Sequence, residues 1–276
     1  MTDNISLVAG KLSLVLPAFN EAENLPVVVE RALEILPQHF SRFEIVIVND
    51  GSRDATAALA DQLAADHEQV SVVHHPKNRG YGGAVASGFA ASVGAYVMFM
   101  DADQQFDVED IDRLIPFIES HDIVAGFRME RNDSFHRRVF AEIFNVTIRV
   151  FFGVHMRDID CAFKVFRGDL LRSIDLSTSG ALINTEILAK AMRQGAVVQQ
   201  VGVRHFPRVA GSSTGGNPKI ILRAMRDTPR LWWHMRSYQP PTDRPNSHPP
   251  RRIGDAAILA GLGSAIGGLV ALMRRK

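Results

Sequence analysis

Cysteine is almost missing from this chain: 276 residues contain one, Cys161. A lone thiol excludes an internal disulfide framework and fits a reducing compartment. Charge of one sign is also missing. Lys and Arg total 31 against 30 Asp and Glu, a formal net charge of +1, so there is neither the basic field of a nucleic-acid binder nor an acidic tail. No repeating unit is visible, which excludes a solenoid. The opening MTDNISLVAGKLSLVLP has no charged n-region and no small-residue cleavage site, so the globular part is expected to stay in the cytoplasm.

What is present is apolar substance. Hydrophobic residues make up 46% of the chain, enough for a sizeable core in one large domain or two small ones. In the first part of the chain short apolar runs alternate with helical patterns. Leu12–Leu16, Glu44–Val48, Val70–His74 and Tyr96–Met100 read as strands, rich in Val, Ile and aromatics. Ala22–Ile35, Ala55–His67 and Tyr81–Ser92 carry apolar residues at helical spacing. That alternation predicts an α/β fold, a mostly parallel sheet flanked by helices. Ligands of such sheets gather at the carboxyl ends of the strands.

Each strand runs into polar or glycine-containing residues at that edge. They are Pro17-Ala18-Phe19-Asn20-Glu21, Asn49-Asp50-Gly51-Ser52, Lys77-Asn78-Arg79-Gly80 and Asp101-Ala102-Asp103. Ordinary turns with capping Asp, Asn and Ser account for any one of them; all four together suggest one cleft. Asp101 and Asp103 could form an exposed turn, cap a helix or clamp a metal ion. With Ala102 as spacer both carboxylates can point one way, and their repulsion is relieved by a hard cation such as Mg²⁺ or Mn²⁺ bridging to a diphosphate. Gln105 offers a third oxygen.

PAFNEAENLPVVV, IVIVNDGSRDAT, NRGYGGAVASGF and FMDADQQFD, in that order, resemble the family-two glycosyltransferases of the GT-A fold. The second half narrows the resemblance. AGFR (125–128), Arg137, Ala141 and Asn145, RDIDCAFKVFR (157–167) and HFPRVAGSS (205–213) are similar to the polyprenyl-phosphate sugar synthases, the group of the dolichyl-phosphate mannose and glucose synthases. The match covers roughly residues 11–236. Asn49, Cys161-Ala162, Lys164 and Thr214 depart from the common pattern.

The resemblance implies inverting, metal-dependent transfer of a sugar from a UDP- or GDP-linked donor to a polyprenyl monophosphate at the cytoplasmic membrane face. It implies a nucleotide-sugar site of Pro17, Ala18, Asn20, Glu21, Asp50, Gly80, Asp101, Ala102 and Asp103, with Mg²⁺ or Mn²⁺ held by Asp101, Asp103 and Gln105. A lipid phosphate is already an oxyanion near neutral pH, so it needs alignment by cations more than a general base. Arg128, Arg137, Arg138 and Arg208 are the candidates, with Asp103, Arg128 and Arg137 closest to the chemistry. For each arginine a solvated surface position is the plainer account. Asp158 and Asp160 either orient such arginines or cap a turn. The alternatives are a transferase acting on a hydroxyl acceptor, which would need an acidic base in the second half, and a non-catalytic nucleotide-sugar-binding protein.

The organisation that follows is a GT-A domain over 1–236 (donor half about 11–130, acceptor half about 131–236), a Pro-rich linker over 237–252 and a membrane-seeking segment over 253–276. Phe135, Val139, Ile143, Phe144, Ile148, Phe151 and Phe152 form one stripe, with Arg137, Arg138 and Arg149 as basic partners. This is an interfacial pattern or an ordinary core-facing helix. Arg223, Arg226, Arg230 and Arg236 accompany Trp232 and Trp233 in the same way. Residues 256–273 carry no charge and would span about 27 Å as a helix, just short of a roughly 30 Å hydrocarbon core. Gly263 and Gly267 stand at a spacing that lets membrane helices approach, so a homo-oligomer through this segment is one expectation. Its flanks, Arg251-Arg252 and Arg274-Arg275-Lys276, are basic on both sides, which leaves its topology open.

Overall fold

The computed structural model describes residues 7–129, 135–210 and 218–241. The expected linker beyond residue 241 and the segment expected to seek the membrane lie outside the described residues, while Ser237 ends a helix. Seven strands form one sheet: β1 (Val8–Ala18), β2 (Phe40–Asn49), β3 (Val70–His74), β4 (Tyr96–Met100), β5 (Ile123–Arg128), β6 (Phe163–Arg167) and β7 (Val198–Val203). The helices are α1 (Leu25–Ile35), α2 (Thr56–Asp66), α3 (Tyr81–Ala91), α4 (Ile115–Ile118), α5 (Phe135–Phe152), α6 (Gly168–Arg172), α7 (Ile183–Arg193) and α8 (Pro218–Ser237). The sheet order is β3-β2-β1-β4-β6-β5-β7.

All neighbouring pairs are parallel except the two made by β6, which runs antiparallel to β4 and to β5. The mostly parallel expectation therefore holds, with one reversed strand. The chain moves outward from β1 through β2 to β3, then returns to the other side of β1 to make β4. The strand order thus reverses between β1 and β4, and a crevice opens there at the carboxyl ends. β5 and β7 run in the β4 direction, so their carboxyl ends share that edge. So does the loop entering the reversed β6.

The interior strands are buried on both faces, as near-continuous apolar runs must be. Leu12, Leu14, Val15 and Leu16 of β1, Ile45, Val46, Ile47 and Val48 of β2 and Val97, Met98, Phe99 and Met100 of β4 are all within the core. Each such side chain contributes roughly 1.5–3 kcal/mol of burial. Phe89, Phe99 and Phe166 join the α3 layer to the sheet through edge-to-face and stacked rings at centroid distances of 5.7–6.1 Å.

In α5, Ile148 and Phe152 are buried and Phe144 and Phe151 pack against the core. The described part of that stripe faces protein, as a core-facing helix does. α8 packs beside it through Ala224, Thr228, Leu231 and Met235, one face of a helix by their spacing. Trp232 meets Phe151 edge to face at 5.9 Å. The opposite face presents Arg226, Arg230 and Trp233 to solvent, Trp233 being 69% exposed. Among the described residues no helix is long and apolar enough to cross a membrane.

Candidate active site

The first two edge loops are sewn together at the switch point. Asn20 adopts a positive φ of 56°; its backbone N–H donates to Ser52 Oγ at 3.0 Å, and its Oδ1 accepts from Arg53 N at 2.8 Å. Glu21 N–H donates to Thr56 Oγ1 at 2.9 Å and Asp50 N–H to the Ala18 carbonyl at 2.9 Å. Pro17, Ala18, Asn20 and Glu21 are thereby held against the β2 edge.

Asp50 is buried, and its carboxylate organises the third edge. Oδ1 accepts from Arg79 N at 2.8 Å and meets His75 Nδ1 at 2.6 Å, while Oδ2 accepts from Gly80 N at 3.0 Å. His75 Nε2 in turn lies 2.9 Å from Ser87 Oγ on α3. Gly80 has φ 83°, and a Cβ there would also stand 2.8 Å from the Ser179 carbonyl oxygen. That position needs glycine twice over, for backbone conformation and for space.

Asp101, Ala102 and Asp103 follow β4 directly. Burial and the charge of Asp103 push the Asp101 carboxyl up to about 7, against a hydrogen bond from the Tyr81 hydroxyl and the nearby Lys164 charge that favour the anion. Asp103 is buried; its Oδ1 accepts from Gln105 N at 3.1 Å and its Oδ2 from Arg208 Nη1 at 3.1 Å. Arg208 also donates Nη2 to Glu21 Oε1 and Nε to the Ala210 carbonyl at 2.7 Å. It therefore stands between the β1 and β4 carboxylates. Burial raises the Glu21 carboxyl, opposed by the hydrogen bond from Asn24 and the Arg208 charge.

Arg208 reaches that place because its segment lies along the DADQQF turn. Phe206 N–H donates to the Gln105 carbonyl at 2.9 Å, Gln105 Nε2 donates to the Phe206 carbonyl at 3.3 Å, and His205 rests against Phe106 at 5.2 Å between ring centroids. Gln105 thus sits beside the carboxylate pair with its amide nitrogen engaged. Gln104, at φ 61°, donates to Asn24 Oδ1 at 2.8 Å. Asn24 and Gln104 carry no signal in the sequence, since they meet only through the fold.

Arg128 closes β5 on the same edge. Its Nε and Nη2 hold Asp158 Oδ2 and Oδ1 at 2.6 and 2.8 Å, a bidentate pair that is largely buried. Asp158 is thereby an arginine-orienting residue, while Asp160 is exposed. Although burial opposes it, the Asp158 carboxylate keeps the Arg128 guanidinium firmly charged. Arg137 and Arg138 fall in the first half of α5, and their side chains lie outside the described part.

Two buried charges, Lys164 and Glu186, support the edge from behind. Lys164 sits within β6 with no exposure; its Nζ donates to the Ile159 carbonyl at 3.0 Å and to the Cys161 carbonyl, so the 157–162 loop is tied to the sheet. Glu186 of α7 is equally buried. It accepts from the backbone N–H and hydroxyl of Ser177, from those of Thr178, and from Lys190 Nζ at 2.7 Å. The loop it holds packs beneath Gly80 and Gly82.

A doubly wound sheet with paired carboxylates at its switch point is the GT-A class of architecture. The chain belongs to glycosyl transferase family 2, whose family model matches residues 13–175. Among curated relatives it is 33% identical over 224 residues to the undecaprenyl-phosphate 4-deoxy-4-formamido-L-arabinose transferase of Pectobacterium carotovorum subsp. carotovorum, covering 80% of this chain and 66% of that protein. It is 32% identical over 213 residues to the polyprenol monophosphomannose synthase of Mycolicibacterium smegmatis, covering 72% and 79%. The match thus spans just under two thirds of the first of these relatives. Among solved structures, glucosyl-3-phosphoglycerate synthase from Mycobacterium tuberculosis in complex with Mn²⁺, UDP and phosphoglyceric acid shares the fold, with a TM-score of 0.63, 19% identity and coverage of 84% and 80%.

Proposed function

We propose that this protein transfers a sugar from a UDP- or GDP-linked donor to a polyprenyl monophosphate at a membrane surface. The observation that carries the reading is the shared edge: paired carboxylates end β4, and an arginine held by a buried aspartate ends β5. The relatives' names, which specify undecaprenyl phosphate and polyprenol monophosphate chemistry, support the same acceptor class.

On the donor side, Pro17, Ala18, Asn20 and Glu21 line one wall, and Gly80 lets the chain approach closely at the other. Asp50 acts from beneath, fixing the Arg79 and Gly80 backbone. Asp101 and Asp103, with Gln105 beside them, suit Mg²⁺ or Mn²⁺: their oxygens are hard donors, and the Asp101 carboxyl, raised by burial first and by the Asp103 charge second, is one whose anion a cation stabilises. When bound, such an ion neutralises charge developing on the leaving nucleoside diphosphate. Tyr81 orients Asp101, and Arg208 holds Glu21 and Asp103 in register.

On the acceptor side, Asp158 occupies the Nε–Nη2 edge of Arg128, so a phosphate would meet its Nη1 side. Arg137 and Arg138, in the helix that follows β5, stay candidates for the acceptor phosphate from the sequence alone. The second-half carboxylates buried deepest are committed, Asp158 to Arg128 and Glu186 to its loop, which fits an acceptor that needs no general base. The exposed Arg226, Arg230 and Trp233 face of α8 suits an interface with anionic headgroups. The test is incubation with a panel of nucleotide sugars and polyprenyl phosphate, with the product lipid weighed by mass spectrometry. Asp160→Asn should retain transfer; a dead Asp160→Asn would favour a hydroxyl acceptor and a carboxylate base.

A further inference from the structure

Beside the Arg128–Asp158 pair lies a cavity of about 140 Å³ lined by Phe127, Arg128, Arg157 and Asp158. It has room for several waters at about 30 Å³ each. Two arginines and one carboxylate face it. The carboxylate that lines it holds Arg128 through two hydrogen bonds, so the Arg157 guanidinium is a second cation on the cavity wall. Among the described residues no carboxylate pairs with Arg157.

Arg157 is nevertheless held in place. Its guanidinium carbon lies 3.9 Å from the centroid of the Phe127 ring, a close face-on stack. Its backbone N–H donates to Gln200 Oε1 at 2.8 Å, and Gln200 Nε2 donates to the His155 carbonyl at 3.4 Å. One side chain of β7 therefore clips both sides of the 155–157 segment. Gly202 sits opposite Phe127 in the β5–β7 register, where a Cβ would crowd Met129 at 2.7 Å. A stacked guanidinium keeps its N–H edge in plane and available, which suits a phosphate oxygen better than a lysine would.

We propose that Arg157, stacked on Phe127 beside the Arg128–Asp158 pair, is a phosphate-binding residue of the acceptor side. The inference rests on the polyprenyl-phosphate reading above. Its ligand chemistry is a lipid-borne phosphate, either the monoester of the acceptor or the diester of an anionic headgroup.

The experiment uses the full chain with Arg157→Gln, Arg157→Lys and, as a charge-matched control at the far end of β2, Arg42→Gln. Transfer is measured first with polyprenyl phosphate in neutral detergent micelles, and binding then with vesicles of phosphatidylcholine with and without phosphatidylglycerol. An acceptor-phosphate contact predicts that Arg157→Gln raises the KM for polyprenyl phosphate in micelles by about tenfold, the loss of one charge-assisted contact. The donor KM should stay put, and Arg157→Lys should fall between. A headgroup contact predicts an unchanged micellar KM and weaker binding only to vesicles holding phosphatidylglycerol. Unchanged values in both arms, or an equal effect of Arg42→Gln, would overturn the proposal. Wild-type protein that transfers no sugar to polyprenyl phosphate would instead remove the functional reading, and the vesicle arm would still decide whether Arg157 binds phosphate. Circular dichroism and melting of each variant separate these outcomes from misfolding.

Discussion

Asp101 carries a conflict at the scale of a single residue. Its carboxyl, pushed up to about 7 by burial and by Asp103, holds its proton to higher pH than an ordinary carboxyl does. A raised carboxyl stabilises the fold fully only below its ordinary 3.8, and that contribution is lost as pH rises through about 7. Two outcomes follow for melting curves. Asp101→Asn should raise the melting temperature of the metal-free protein at pH 8 while leaving it nearly unchanged at pH 5, and should abolish transfer. Mn²⁺ should raise the wild-type melting temperature more at pH 8 than at pH 5. An Asp101→Asn protein that is less stable at pH 8 would mean that the site carries no stored repulsion. Stability given up for a functional charge is the expected trade. The two aspartates were legible because their spacing places both at a strand end. Asn24 with Gln104, and Asp50 with His75 and Ser87, were not, because those partners come from separate elements.

Elements show the same division between local and distant information. Val70–His74 and Tyr96–Met100 match β3 and β4 as read from the apolar runs, and the three donor-half helices fall within the expected spans. β1 begins earlier than its apolar run, through Gly10 at φ 116° and a register shift between Val8 and Lys11. The reversal of β6 could not be read, since direction depends on a connection rather than on composition. Lys164, buried near the start of β6, is a charge where an interior strand is ordinarily apolar; the Ile159 and Cys161 carbonyls accept from it. Arg208, a candidate for the acceptor phosphate from its residue type, makes its hydrogen bonds to Asp103 and Glu21, partners that sequence distance hides.

Two predictions belong to packing between elements. A Cβ on Gly88 of α3 would overlap Val15 and stand 3.1 Å from Val48, so Gly88→Ala should cost about 1–3 kcal/mol in urea unfolding, the usual range for overpacking. Glu186→Ala would take from Lys190 its carboxylate partner and release the Ser177–Thr178 loop from beneath Gly80 and Gly82. Removing one partner of a buried pair costs about 3–5 kcal/mol. The loop change should also raise the donor KM more than the acceptor KM; an equal rise in both would argue against a role under the donor wall.

For the whole molecule, the strand order is what assembles the chemistry. Because it reverses between β1 and β4, the carboxylates and the Arg128 pair come to one edge from distant parts of the chain. The outward face of α8, which packs on α5 through Trp232 and Phe151, is basic and tryptophan-bearing. Removing 253–276 should move the protein toward the soluble fraction on membrane fractionation; unchanged partition would mean that the body's helices hold the membrane by themselves. The most direct test of the central claim is the mass of the lipid product formed from a nucleotide sugar and polyprenyl phosphate, with wild type and Asp103→Ala compared. The account predicts a polyprenyl-phosphate sugar with wild type, dependent on Mg²⁺ or Mn²⁺, and none with a folded Asp103→Ala. Product from Asp103→Ala at the wild-type rate would contradict it.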